Sequence, residues 1–294
     1  MNTIYSAAAG YQPAHLLPFL LSAQRHLKNF EVVLLITPSD QPVLEPLTAQ
    51  FPFLRFALLN RGNRLSRAVC WLRYVALRQA GVLRRRDRHS LNTRQRFGLE
   101  CGINPALSRY FLIERLLAEQ AAGANARVML ADSRDIIFQG DAFTELSAPL
   151  VTGAEPTVVG PRDRWIGLVY GEQGQQRLAG KQVYCSGFTL GDRTAIQAYV
   201  KQVCDEMWTH LPAMLFHRGL DQAIHIRLLH DGLLQARVMQ NADGKIATIS
   251  LEKPANLEID QTANAVRVHG HVPCVLHQYD RHPALIEFVQ ALYL

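Results

Sequence analysis

Three short apolar runs separated by helix-like segments open this chain, and a rhythm of that kind admits few folds. Thr3–Ala8 reads as a strand. After Gly10-Tyr11-Gln12-Pro13, the segment His15–His26 carries Leu16, Leu17, Leu20 and Leu21 at the spacing of one helix face. Glu31–Ile36 reads as a second strand, broken by Thr37-Pro38-Ser39-Asp40, then Gln41–Gln50 as a short helix and Phe53–Leu59 as a third strand. Strands alternating with helices favour a mainly parallel central sheet flanked by helices, joined by right-handed crossovers. The expected class is α/β with a Rossmann-like, nucleotide-binding architecture.

The pattern continues downstream. Pro105–Glu119 has strong helical spacing at Leu107, Tyr110, Phe111, Ile113, Leu116 and Leu117, and Ala126–Ala131 is a short buried strand that runs straight into Asp132. Acidic residues at a strand's C-terminal end lie where open α/β sheets bind ligands. Tyr184–Leu190 is an apolar run containing Gly187; Arg193 to about Trp208 and Leu220–His230 read as helices, and Ala236–Met239 and Ala247–Leu251 as strands.

At 294 residues, 48% hydrophobic and 19% charged, the chain can bury a substantial core, and disorder is excluded as a description. The N-terminus lacks a basic, then apolar, leader, and no apolar stretch approaches the roughly 20 residues of a membrane span, so a soluble, cytoplasmic protein is expected. Five widely spaced cysteines (Cys70, Cys101, Cys185, Cys204, Cys274) suggest neither a disulfide framework nor structural zinc; they read as reduced and mostly buried.

The net charge of +6 suits an anionic partner: nucleic acid, lipid headgroups or a nucleotide diphosphate. Much of it lies between Arg61 and Arg96, read as a helix followed by an exposed basic loop at Arg84–Arg96. That stretch supports a competing reading, a nucleic-acid or anionic-surface binding protein. Zinc ligands and a recognition-helix pattern are lacking, so no specific nucleic acid is expected, while peripheral association with the inner face of an anionic membrane stays open. A metal-dependent phosphohydrolase or nucleotidyltransferase would also use acidic strand ends, but its Asp-x-Asp-x-Thr type of run is absent.

Val128-Met129-Leu130-Ala131-Asp132-Ser133-Arg134-Asp135-Ile136-Ile137-Phe138 joins an apolar strand, an acidic turn and a second apolar run. Two carboxylates at a rigid strand end suit a hard divalent cation able to neutralise a departing diphosphate. The segment resembles the strand-plus-DxD element of GT-A glycosyltransferases, in a branch reading Asp-x-Arg-Asp followed by Phe-Gln and Asp-x-Phe, here Phe138-Gln139 and Asp141-Ala142-Phe143. Arg134 occupies the usual third position, so the second carboxylate comes one place later, at Asp135. Asp132 is the firmer ligand; Asp135 is open to metal, to the ribose or to Arg134. Read locally, both carboxylates also suit turn caps, with Arg134 solvating the turn.

Other pieces follow in the order the resemblance implies. Tyr184-Cys185-Ser186-Gly187-Phe188-Thr189-Leu190-Gly191 resembles the stretch lining donor sugar and acceptor in retaining enzymes, and Leu220-Asp221-Gln222 the Asp-Gln pair that follows it. The implied catalytic set is Ser186, Gly187, Asp221 and Gln222; on local grounds Asp221 reads as a helix N-cap. Val275-Leu276-His277-Gln278-Tyr279-Asp280-Arg281 resembles the C-terminal motif that completes the metal site, making His277 a third ligand to Mn²⁺ or Mg²⁺. Arg109, opening the helix before the Asp132 strand, suits clamping a phosphate or bonding an acidic residue near the metal. Ala8, Ala9, Tyr11 and Arg134 complete the implied donor-binding set, with Tyr11 stacking on the base.

The resemblance, distantly to glycogenin-like retaining enzymes, implies a single GT-A catalytic domain over residues 1–294. Residues 1–143 would bind the nucleotide sugar, and residues 144–294 the acceptor while completing the metal site. The implied reaction transfers a hexose from a UDP-linked donor, in preference to a GDP-linked one, to a glycan or other hydroxyl acceptor. The Ser-Gly and Asp-Gln pattern leans toward retention.

Overall fold

The computed structural model describes residues 1–59, 64–80, 100–119 and 126–294. A seven-stranded sheet forms from β1 (Asn2–Ala7), β2 (Phe30–Ile36), β3 (Leu54–Leu58), β4 (Arg127–Ala131), β6 (Leu150–Val158), β7 (Gln182–Asp192) and β8 (Arg237–Met239), in the order β3-β2-β1-β4-β7-β6-β8. Pairing is parallel except where β7 runs antiparallel between β4 and β6. A three-stranded sheet of β5 (Ile136–Phe138), β12 (Val275–His277) and β9 (Ile246–Thr248) lies beside it, with a two-stranded hairpin of β10 (Leu257–Asp260) and β11 (Ala265–Val268).

The strands read as continuous apolar runs because both sheet faces are covered. Along β2, Val33 and Leu35 join the core formed with helices Pro105–Glu119, Arg193–Thr209 and Asp221–His230, while Val32, Leu34 and Ile36 join the opposite core against helix Pro13–His26. The same two-residue alternation divides Tyr5 from Ile4 and Leu130 from Met129. The mixed, mainly parallel sheet flanked by helices expected from the sequence is therefore present.

Some boundaries move for local reasons. Gln41–Gln50 is two helices, Gln41–Leu44 and Pro46–Gln50, because Pro46 has no amide to continue the first and starts the second instead. The expected strand Ala247–Leu251 spans Ile246–Thr248. The helix Arg164–Leu178 was not read from the sequence; Gly167, Gly171 and Gly174 weaken its helical signal, and it kinks at Gly171, where φ is 65°. The C-terminal helix Pro283–Tyr293 was also unforeseen. Helix Arg64–Gln79 confirms the first part of the basic stretch, whereas Arg61 and the Arg84–Arg96 loop lie outside the described residues. None of the five cysteines is in a disulfide, and four are buried. Among the described residues, no helix is long and apolar enough to cross a membrane.

One core polar cluster makes stability pH-dependent. His225 is 1% exposed, with Nδ1 2.8 Å from Tyr199 Oη and Nε2 3.3 Å from Thr152 Oγ1. Burial lowers its pKa from 6.5 to about 3. The unfolded chain therefore takes up this proton well before the folded chain does, so the stability present above pH 6.5 falls as pH drops through that interval. We expect His225 alone to remove about 2 kcal/mol by about pH 5. Urea midpoints measured at neutral pH and near pH 5 should show a smaller pH dependence in His225→Gln than in the parent; equal slopes would refute the assignment.

Candidate metal centre and adjoining cavity

The site begins at the end of β4. Strands β2 and β4 flank β1 on opposite sides, so the chain leaves the C-terminal edge of these parallel strands at a topological switch point. Asp132 follows β4 directly, and its backbone amide donates to Gly187 O of β7 at 2.9 Å. The next residues cross to the small sheet. There β5 pairs antiparallel with β12, His277 opposite Ile136, and Gln278 N donates to Asp135 O at 2.7 Å. Strand register thus delivers His277 to the acidic turn.

Asp132, Asp135 and His277 each present one ligand atom, all within 4.8 Å of one another. Two carboxylates and an imidazole suit a borderline cation such as Mn²⁺, and Mg²⁺ through the oxygens. Asp135 turns to His277, with Oδ1 3.4 Å from Nε2, and not to Arg134, which is exposed. That buried oxygen accepts no well-formed hydrogen bond among the described residues, as an atom available to a cation would. His277 Nδ1 lies 3.3 Å from Cys185 Sγ. Burial pushes the His277 pKa down, but Cys185 and Asp135 outweigh it and hold the ring well above 6.5. A metal entering there would displace a proton.

Gly187 is part of the same packing. A Cβ on it would press on the His277 ring, 2.7 Å from Nε2, and stand 2.9 Å from Asp132 Oδ2. Since the added methyl would press on both groups, Gly187→Ala should weaken Mn²⁺ binding about 10–100-fold, the range for disturbed ligand orientation. Titration with Mn²⁺ followed by calorimetry checks this; unchanged affinity would mean that the ligands have room to spare.

Arg109 lies in the second turn of helix Pro105–Glu119 and points at the acidic turn. Its Nη1 donates to Asp132 Oδ1 at 2.6 Å and its Nη2 to Asp221 Oδ2 at 3.0 Å. Asp221 is buried and is the first helical residue; the cap is Leu220, with no side-chain cap bond. The N-cap reading is corrected: the carboxylate faces inward to Arg109 and Tyr110. Burial raises its pKa, opposed by Arg109. Ser186 and Gln222 also meet, with Ser186 N and Oγ donating to Gln222 Oε1 at 2.9 and 2.7 Å. Gln222 Nε2 donates to Tyr184 O and to Glu155 Oε1.

A cavity of about 690 Å³ opens beside the cluster, walled by Ala9, Gly10, Tyr11, Thr37, Arg67 and Arg218 among others. Tyr11 lines this cavity, and burial and then the Asp132 and Asp135 charges push its phenol up. Of the two alanines in the expected donor-binding set, Ala8 is fully buried in the core beside helix Pro13–His26, its amide bonded to Leu35 O, and does not line the cavity, whereas Ala9 does. Glu155, Cys185 and Tyr110 were not singled out from the sequence. Cys185 lay within a quoted motif, whereas Glu155 carried no local signal because strand β6 itself was unforeseen.

No family model matches the sequence, and no curated protein matches it. Among solved structures, mouse xyloside xylosyltransferase 1 in its apo form is similar, with a TM-score of 0.51 at 14% identity over 94% of this chain and 97% of that one. The chain has the fold of a glycosyltransferase.

Proposed function

We propose that the chain is a GT-A glycosyltransferase that moves a hexose from a nucleotide diphosphate sugar, UDP-linked in preference to GDP-linked, to a glycan or other hydroxyl acceptor, with retention. The observation that carries this reading is the convergence of Asp132, Asp135 and His277 at the C-terminal edge of the sheet. The neighbour's name, a xyloside xylosyltransferase, agrees with glycosyl transfer. The single large sheet, built from strands on both sides of residue 143, supports one catalytic unit over residues 1–294. The Asp-x-Arg-Asp and His-Gln-Tyr-Asp-Arg motifs, and the distant glycogenin-like kinship, belong to the same reading.

Asp132, Asp135 and His277 would hold Mn²⁺ or Mg²⁺, which when bound supplies positive charge to the departing diphosphate. The chain's own groups do the positioning. Arg109, held by Asp221, fixes the direction of the Asp132 carboxylate. Gly187 keeps the space beside both ligands open, and Gln222 anchors Ser186 next to it. Arg67 and Arg218 bring cationic charge to the cavity that Tyr11 also lines, as a diphosphate requires. Asp221, held through Oδ2 by Arg109, would position a sugar or acceptor hydroxyl.

Calorimetry with UDP and GDP, each with Mn²⁺, Mg²⁺ or chelator, tests the reading. Metal-dependent affinity for one nucleotide is expected; its absence with both metals would end the proposal. Turnover of the preferred nucleotide's sugars, followed by NMR of the anomeric proton, tests hexose transfer and retention.

A further inference from the structure

Helix Arg64–Gln79 presents to solvent a face that a globular surface would ordinarily bury. Its inner side packs on the body of the protein: Cys70 is buried against Gly102, and Tyr74 and Leu77 lie on the core. On the outer side, Leu65, Ala68, Val69, Leu72 and Ala76 are all exposed and recur at the spacing of one helical stripe. Leu65 is 72% exposed and Leu72 67%. At 100° per residue, exposed Arg73 falls on one flank of this stripe and exposed Trp71 and Arg78 on the other. The helix contains four arginines and no acidic residue.

We infer that this helix docks the protein on an anionic bilayer, lying in the plane of the interface with the Leu65–Leu72 stripe in the acyl boundary and Arg73 and Arg78 among the headgroups. Sixteen residues rise only about 24 Å, short of a span, so the helix suits lying on the membrane. An apolar stripe with arginines on both flanks is the composition of an interfacial helix. Trp71, stacked on Tyr74 at 5.7 Å and edge-on to Phe216 at 5.6 Å, sits where an indole favours the headgroup level. Phe216 is itself 55% exposed and extends the apolar surface. Charge decides among occupants: a second copy would bring the same arginines face to face, whereas phosphate headgroups neutralise them. Because Arg67 and Phe216 also wall the large cavity, docking would bring the cavity rim to the lipid surface.

Co-sedimentation of the full chain with phosphatidylcholine vesicles, and with vesicles containing about one-third phosphatidylglycerol, tests the inference. Binding to the anionic vesicles alone is expected, weakened by salt, with a blue shift of tryptophan fluorescence that Trp71→Phe removes. Arg73→Gln/Arg78→Gln should weaken binding about 30-fold, from ~1 kcal/mol per arginine near the surface. Leu65→Glu/Leu72→Glu, both exposed sites, should abolish it with an unchanged circular dichroism spectrum. No binding to anionic vesicles overturns the inference, as does binding that survives the double glutamate variant. So does a parent dimer that the same variant turns into monomer, since the stripe then belongs to a second copy. Metal-dependent UDP binding, measured without vesicles, should be unaffected in these variants, which separates failure here from failure of the proposed function.

Discussion

Asp132→Ala should lose metal-dependent nucleotide binding by at least about a hundredfold, because disturbing a ligand's orientation alone costs ~10–100-fold and this change removes the ligand itself. The fold should survive. The Asp132 side chain is 38% exposed, and Arg109 keeps its second partner, Asp221, when Asp132 is gone. Asp132→Asn separates two roles of the carboxylate. The amide retains an oxygen that can accept from Arg109, so local geometry is preserved, yet it removes the charge a hard cation needs. Both variants should therefore fail with Mn²⁺ while melting close to the parent. Asp135→Asn measured alongside shows whether the displaced second carboxylate is a ligand: a comparable loss makes it one, and a small loss assigns it to holding His277. Parent-like Mn²⁺-dependent affinity in Asp132→Ala would remove the basis for the metal centre.

Arg109→Met should be the most destabilising single change around the site, by about 3–5 kcal/mol, since removing one member of a buried ion pair leaves the other without compensation. Asp221 is that stranded partner, with its side chain 11% exposed and Tyr110 Oη, a neutral phenol, 3.5 Å away. Burial already raises its pKa against the pull of Arg109, so without the guanidinium it would move higher still and bind a proton. Two consequences can be read from urea denaturation. The deficit of Arg109→Met should shrink as pH falls, because the folded carboxyl, with its pKa raised, binds a proton at a pH where the unfolded one is still ionised. Arg109→Met/Asp221→Asn should recover much of the loss, since no charge then remains to be buried. A single variant as stable as the parent would show that the Arg109–Asp221 pair contributes nothing net.

The local sequence carried the parts of this protein that depend on periodicity. Apolar runs marked the strands β1, β2 and β4, Leu16, Leu17, Leu20 and Leu21 marked the first helix, and the run into Asp132 put carboxylates at a strand end. A period says which face a residue occupies and nothing about which element will face it. For that reason Asp221 read as a cap until helix Asp221–His230 packed its first turn inward. Arg109 and Asp221 are 112 residues apart in sequence, and no spacing rule connects them.

Ser186 and Gln222, recognised as neighbouring motif pieces, became one hydrogen-bonded unit only through the packing of that helix on β7, which also drew in Glu155 from a strand the sequence had not announced. Helix Arg64–Gln79 shows the reverse case: its charge and its helical form were readable, but a stripe that reads as core in a periodic pattern is exposed in the folded chain. The sequence by itself determined the α/β layering and the acidic turn, because both follow from contacts a few residues apart. Tertiary structure decided the site, because β12 pairing beside β5 sets His277 against Asp135 and the approach of β7 to β4 leaves room only for glycine at position 187. Sheet register over long separations is a global outcome of packing, and that is where the metal ligands acquired one another.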